Sequence, residues 1–388
     1  MAAITVKKSD LVKVSNRCAM FVEKKPMLPA LGTFKVNISE DKISITGSDQ
    51  RSWITSSCGI VDGDAPASSF CIPALRFNAI MNVMAQAWSE SDSVSIKLHK
   101  TKIVIQSGDS KHDLPITDAN EFPVTSYVDT GIVFREKAKI VNAMFRNMTK
   151  LVGDDNDKAQ LEGIYMQYDA DNMLIKLSGG TAVRLCLCSV YSQNKLDGFN
   201  PILIHHAAVR NLEKIFESHS EISIESNGKL VSIKDHSTII TSRGIEEKFP
   251  DMWKIFNLTP KQANIKMNTV DLIHSINEAR IHKSEMNMIA SMIVGDDSVK
   301  LEMVNNEEGS YSESYIRNVS GTFVNAKLGV HIDAFKEAID ATNSISVELV
   351  YGSNNGKTSG IVFNVVDSID YGLNTSVLLA VYKPATTI

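Results

Sequence analysis

Two short stretches decide how the chain is read: Asn120-Glu121-Phe122-Pro123 and Glu247-Lys248-Phe249-Pro250. Each is a Phe-Pro pair after an acidic, loop-like approach, and the prolines lie 127 residues apart. Three spans of that length account for nearly all of the 388 residues. A period of this size is a whole domain, because solenoid repeats run to about 20–50 residues. The expectation is three domains over residues 1–126, 127–253 and 254–388.

Other features recur in phase. IPALRFNAIMNVM (72–84), LIHHAAVRNLEKIF (203–216) and VHIDAFKEAIDAT (330–342) each read as an amphipathic helix of about three turns, followed by strands of alternating polarity. Aligning Ile72, Ile204 and Val330 brings Phe77, Val209 and Phe335 into register. The first half of each span repeats the plan. DLVKVSNRCAMFVEKK (10–25), KIVNAMFRNMTKLV (139–152) and DLIHSINEARIH (271–282) precede strand pairs with polar turns at Glu40-Asp41, Asp169-Ala170-Asp171 and Asp296-Asp297. Each span therefore reads helix–strands–helix–strands, in two similar halves. Runs of strands with isolated helices indicate an α+β fold rather than a βαβ parallel sheet.

Composition is that of an ordinary globular protein, 43% hydrophobic and 22% charged. The opening MAAITVKKSDLVKV has no apolar run for a signal peptide, and no stretch approaches about 18 apolar residues. A cytoplasmic location is expected. A net charge of −5 argues against a tight phosphate grip. It is compatible with loose enclosure of DNA by locally positive walls, since DNA responds to the local field. Five cysteines, Cys18, Cys58, Cys71, Cys186 and Cys188, are too sparse for a disulfide framework and read as buried thiols.

Catalytic and metal signatures are weak. Gly356-Lys357-Thr358 resembles the end of a phosphate-binding loop, but position 351 is Tyr where that motif needs Gly, and strand-like IVFNVV follows. His205-His206 lacks a carboxylate or cysteine partner. Asp154, Asp155 and Asp157 lack the glycine and final glutamate of a calcium loop. We expect no catalytic residue, metal or cofactor.

The repeat, together with Pro26-Met27-Leu28-Pro29, SGDSKHDLPITDANEFP (107–123) and SRGIEEKFPDMWKIF (242–256), resembles the bacterial beta sliding clamp, the beta subunit of the replicative DNA polymerase III. The resemblance runs along essentially the whole chain. It implies the DNA-clamp fold and a head-to-tail homodimer, a ring of six domains with helices lining the hole. It also implies a processivity factor that enzymes of replication and repair use to stay on double-stranded DNA.

Basic residues partly fit that picture. Lys7, Lys8, Lys13 and Arg17 lie on the first helix, with Lys24 and Lys25 beyond it. A helix around Phe134–Val152 would carry Arg135, Lys137, Lys139, Arg146 and Lys150, and Arg76, Arg210, Lys214, Arg280, Lys283 and Lys336 lie on or beside the others. The resemblance ranks Lys25 and Lys158 first as DNA-facing, with Arg76, Arg146, Lys150, Arg210 and Lys214 after them.

The same resemblance implies a groove for short peptides from the polymerase catalytic subunit, the clamp loader and repair proteins. Carried over by position, it comprises Leu161, Thr181, Ala182, Val183, Arg184, Leu185, Pro250, Lys254, Ile255, Thr358, Gly360, Val381, Tyr382, Lys383 and Pro384. The chain departs from the family here. Gly180-Thr181-Ala182-Val183-Arg184-Leu185 stands where the family usually has Thr-Asp-Gly-His-Arg-Leu, and Val381-Tyr382-Lys383-Pro384 where it has Met-Pro-Met-Arg. The implied subunit seam sets His112 and Leu114 against Ile281 and His282, and imidazoles there would make association weaker or pH-dependent. The alternative function is a diverged clamp-like scaffold that binds proteins without a stable ring on DNA.

Overall fold

The computed structural model describes residues 3–64, 66–86, 92–123, 127–153, 158–353, 360–366 and 373–382. Its helices are α1 (Lys8–Ala19), α2 (Ala74–Gln86), α3 (Ala138–Thr149), α4 (His206–Val209), α5 (Leu212–Ile215), α6 (Met252–Leu258), α7 (Thr269–Ile281) and α8 (Ile332–Thr342). The chain forms two compact units, Met1–Ala138 with Asn211–Gly244, and Lys139–Arg210 with Ile245–Ile388.

In the first unit one antiparallel sheet runs in the order Phe134–Lys137, Glu221–Ser226, Leu230–Lys234, Thr238–Arg243, Ser52–Asp64, Ala3–Lys7, Ser93–Leu98, Lys102–Ser107, Ser110–Pro115. Strands Thr33–Ile38, Lys42–Ser48, Ser68–Pro73 and Thr117–Asp118 branch from it. The thirteen-residue strand Ser52–Asp64 is the hub, pairing with Ala3–Lys7, Lys42–Ser48 and Thr238–Arg243. Strict alternation makes one face of each strand apolar: in Thr33–Ile38 the buried residues are Phe34, Val36 and Ile38. Helices α1 and α2 pack together through Ser15 Oγ to Asn78 (2.8 Å) and reciprocal amide bonds between Asn16 and Asn82 (3.1 and 2.8 Å).

In the second unit the corresponding sheet runs Ile202–His205, Gly163–Asp169, Leu174–Gly180, Arg184–Tyr191, Asn374–Ala380, Gly360–Val365, Ser346–Tyr351, Ala263–Asn268, Ser320–Thr322. A separate sheet runs Ser310–Ile316, Val299–Asn305, Ile289–Val294, Ala326–His331. Helices α7 and α8 are tied by Arg280 Nε (2.8 Å) and Lys283 Nζ (2.6 Å) to Asp333.

The repeat survives in atomic detail. Gly47 faces α1, where a Cβ would meet Cys18 O at 2.5 Å and Val22 Cγ2 at 3.2 Å; Gly179 faces Val152 Cγ2 at 2.7 Å and Met148 Cε at 3.3 Å. The turn after each glycine closes the same way, Asp49 N to Ser52 O (3.2 Å) and Thr181 N to Arg184 O (2.8 Å). Ile72, Ile204 and Val330 occupy equivalent strands, opposite Phe34, Ile164 and Ala290, and Phe77, Val209 and Phe335 are buried at the following helices.

Two local expectations are corrected. The helix around Phe134–Val152 begins only at Ala138, because Phe134–Lys137 is a strand paired with Glu221–Ile224, so Arg135 and Lys137 are strand residues. The second helix of the middle span splits into α4 and α5 at Arg210-Asn211. Asn211 adopts φ −113°, ψ 15° there, consistent with a side chain that competes for backbone hydrogen bonds and disfavours helix interiors. The expected polar turns at 39–41, 170–173 and 295–298 are all present.

Alanine at either glycine forces a packed neighbour to move, and overpacking typically costs about 1–3 kcal/mol. Gly47→Ala is expected to lower the urea midpoint more than Gly179→Ala. Its clash is with a backbone oxygen, whereas the nearest atom at Gly179 is a side-chain methyl that can rotate. Equal midpoints for the two variants would show that the α1 contact relaxes freely.

Candidate functional site

The second unit holds an apolar cluster built from distant segments and partly open to solvent. It rests on the pairing of Arg184–Tyr191 with Asn374–Ala380, which sets Leu185 opposite Leu378 and Arg184 opposite Leu379. Leu161, from the 3-10 turn Ala159–Glu162, packs with Leu185, Leu187 and Met252. Phe249, Trp253, Phe256 and Leu378 lie against this cluster but stay partly exposed. Helix α6 forms one wall. Asp251 starts it by accepting Lys254 N at 3.0 Å, Trp253 and Phe256 share one side of the helix, and Phe249, just ahead of it, packs against the same cluster.

Polar groups frame the apolar surface. Tyr165 stacks on Phe249 with centroids 5.3 Å apart, and Lys176 Nζ lies 4.9 Å above the Trp253 ring. Lys176 also pairs with Asp169, whose carboxyl is lowered to about 2 by Lys176 first and then by Asn172. Arg184 is held by Leu151 O (3.1 Å from Nε) and by Glu337, and its burial lowers its pKa.

The structure brings most of the expected groove residues together. Thr181, Ala182 and Val183 form the turn between two strands, and Val183 O accepts Ala380 N at 2.9 Å. Gly360 begins the strand paired to Ala380, and Val381 and Tyr382 follow, with Tyr382 N donating to Gly329 O at 2.8 Å. Pro250, Lys254 and Ile255 lie at the exposed start of α6. Thr358, Lys383 and Pro384 fall outside the described residues, as do Asp154, Asp155, Asp157 and Gly356-Lys357. Sequence reasoning missed Leu187, Phe249, Met252, Trp253, Phe256 and Leu378. The aromatic spacing around Phe249 was the available signal.

The first unit has the equivalent position, and it is closed. Trp53 stands there in place of Leu185, and Trp53, Cys71 and Phe122 are all buried beneath the Arg243 guanidinium, 5.2 Å from the Trp53 ring. Among the described residues no helix follows Phe122-Pro123 as α6 follows Phe249-Pro250.

The other expected residues lie elsewhere. Lys25, Lys158, Arg76, Arg210 and Lys214 are exposed. Arg146 is half-buried near the end of α3, and Lys150 donates to Asp340 O at 3.2 Å. Lys8 is buried, and Arg280 and Lys283 are bound to Asp333. His112 lies on the edge strand Ser110–Pro115, with Nε2 3.2 Å from Ser110 Oγ, and Leu114 on that strand is buried. Ile281 ends α7 at 77% exposure, and His282 caps that helix. His205 caps α4 through Nδ1, while its Nε2 lies 3.3 Å from Glu162. No group of three or more His, Cys, Asp or Glu suited to a metal occurs among the described residues. No described helix is long and apolar enough to cross a membrane. All five thiols are unbridged, with Cys58 half-buried and the other four buried.

The Lys176–Asp169 pair is open to direct test. A carboxyl lowered to about 2 stabilises the fold fully above the ordinary aspartate value of about 3.9, and that support is lost as pH falls through about 2. Carboxyl NMR should give an Asp169 midpoint near pH 2, and Lys176→Met should raise it. A midpoint unchanged by Lys176→Met would assign the shift to other groups.

Comparison with known proteins places this geometry. Residues 2–126 match the family described as DNA polymerase III beta subunit, N-terminal domain. The beta sliding clamp of Haemophilus influenzae is 20% identical, over 82% of this chain and 84% of its own length. That of Helicobacter pylori is 19% identical, over 96% and 97%. The Pseudomonas aeruginosa sliding clamp, solved bound to griselimycin, superposes with a TM-score of 0.87 at 16% identity, covering 98% of this chain and 99% of its own. The Helicobacter pylori clamp, solved bound to a DNA ligase peptide, gives 0.81 at 18% identity, covering 98% and 100%. The repeated halves and the matches along nearly the full length agree: residues 2–126 match the N-terminal domain of DNA polymerase III beta subunits, and the chain as a whole is similar in sequence and fold to bacterial beta sliding clamps.

Proposed function

We infer that this chain is a non-catalytic DNA sliding clamp, which encircles double-stranded DNA and tethers the replicative polymerase and other DNA-processing proteins. The observation that carries the reading is similarity to beta sliding clamps, in sequence and in fold, along nearly the whole chain. In this reading spans 1–126, 127–253 and 254–388 are three clamp domains, and two chains close head to tail as a homodimer in the cytoplasm. Enclosure gives processivity without sequence recognition, and non-specific phosphate contacts leave the ring free to slide. Lys25 and Lys158, with Arg76, Arg146, Lys150, Arg210 and Lys214, are the residues proposed to face DNA. His112 and Leu114 would meet Ile281 and His282 of the second copy.

The partly exposed face of the apolar cluster around Leu161, Leu185 and Trp253 is the proposed docking site for partner peptides. An extended segment needs an apolar floor for one or two side chains and polar groups to fix its direction. Leu161, Leu185 and Trp253 supply the first, and the turn 181–183 and Arg184 the second. Gly180 and Val183 replace a family threonine and histidine, so this turn offers two polar side chains fewer, and the peptide preference should shift toward apolar contacts.

Retention on circular but not linearised DNA tests the clamp function. Release from both would favour a protein-binding scaffold without a ring. Sedimentation from nanomolar to micromolar concentration should show a dimer, and a monomer even at micromolar concentration would count against a closed ring. In binding assays with the ligase-derived peptide that the Helicobacter pylori clamp accepts, Trp253→Ala and Leu161→Ala should each weaken binding about tenfold or more. Unchanged affinity in both would place the peptide site elsewhere.

A further inference from the structure

Glu217 puts an anion among cations that the DNA-facing reading would leave for phosphate. It lies just beyond α5, and its carboxylate accepts a hydrogen bond at 3.3 Å from Lys13 Nζ on α1, 204 residues away in sequence. The pair borders a cleft of about 340 Å³ whose charged lining is Lys13, Arg17, Glu213, Lys214 and Glu217. Arg17 is steadied there by bonds to Ser237 Oγ (3.4 Å) and Thr238 Oγ1 (3.2 Å). In the adjoining cleft, Asp41 and Asp235 accept bonds within their own turns, from Ser39 Oγ and from the amides of Ser237 and Thr238. Glu217 instead reaches across to a lysine. Both partners are largely exposed, 59% and 69%, so the pair contributes little to the fold.

We propose that Glu217 is a built-in competitor for phosphate, which keeps the grip of Lys13 on the DNA backbone weak. The inference rests on the reading that α1 and α5 face DNA. A lysine that meets a phosphate normally releases one condensed counterion from the duplex. Here the lysine must first leave Glu217, and the freed carboxylate takes up a cation from solution. The release and the uptake cancel, so this contact adds almost nothing to the salt dependence and little to affinity. A phosphate contact that can be exchanged for an internal one at small cost lowers the barrier between neighbouring positions on the duplex. Glu217 thus tunes how freely the ring moves, and its partner is the sugar-phosphate backbone without regard to base sequence.

The test is equilibrium binding of a short linear duplex across about 50–200 mM salt. Glu217→Gln should tighten binding about two- to fivefold at low salt. It should also steepen the slope of log affinity against log salt by about 0.9. In a Lys13→Gln background the same substitution should leave the slope unchanged, because the cation it would free is gone. Two outcomes overturn the proposal: no change of slope in Glu217→Gln, or an equal change with and without Lys13, which would mark a general effect of net charge. The position is exposed, so circular dichroism of Glu217→Gln should match the native chain. Absence of duplex binding by the native chain would instead remove the DNA-facing reading itself, along with this inference.

Discussion

Much of the second unit depends on one strand pairing, from Arg184 opposite Leu379 to Ser189 opposite Asn374. It joins segments nearly 200 residues apart, at an entropic cost that grows only slowly with loop length. The gain is apolar neighbours on both faces of the sheet: Leu185 beside Leu378 on one and Cys186 beside Val377 on the other. The first pair belongs to the cluster with Leu161 and Met252. The first unit makes the same junction between Ser52–Ser56 and Thr238–Ser242, but with hydroxyl pairs, Ser52 with Ser242 at 3.0 Å and Ser56 with Thr238 at 2.8 Å. Trp53 then stands where the second unit has Leu185. One backbone arrangement therefore carries a half-exposed apolar cluster in one unit and a buried one, with Trp53, Cys71 and Phe122, in the other, and the side chains decide which.

The repeat was legible because it is written locally. Phe-Pro pairs, polar turns and the period of apolar residues each reflect forces acting over a few residues, and all reappear in the structure. What was not legible depends on distant segments. Nothing near Phe134 announces that residues 134–137 pair with 221–224 rather than extend α3. The division at Asn211 rests on a modest local preference that an apolar pattern outweighed. Among site residues, Leu161, Arg184 and Leu185 came from resemblance. Leu187 and Leu378 could be found only through register, and Trp253 and Phe256 could have been read from their i, i+3 spacing on the short helix after Phe249-Pro250.

Charge follows a similar logic. A net charge of −5 and helices rich in lysine are not in conflict once pairings are traced. Lys336 is bound to Asp340, Arg280 and Lys283 to Asp333, and Lys13 to Glu217. The field presented to a polyanion is therefore softer than a count of basic residues implies.

The place of strand Asn374–Ala380 has a consequence for how the protein is made. It lies in the interior of its sheet, between Arg184–Tyr191 and Gly360–Val365. On the ribosome, the edge of Arg184–Tyr191 must wait, apolar and unpaired, until residues near 380 emerge. At about 5–20 residues per second that delay is roughly 10–40 s. During that time an exposed strand edge can pair with another nascent chain. The second half of synthesis is thus the period of greatest aggregation risk, and the segment around Leu185 and Leu187 is where a holdase chaperone would do most to protect the chain.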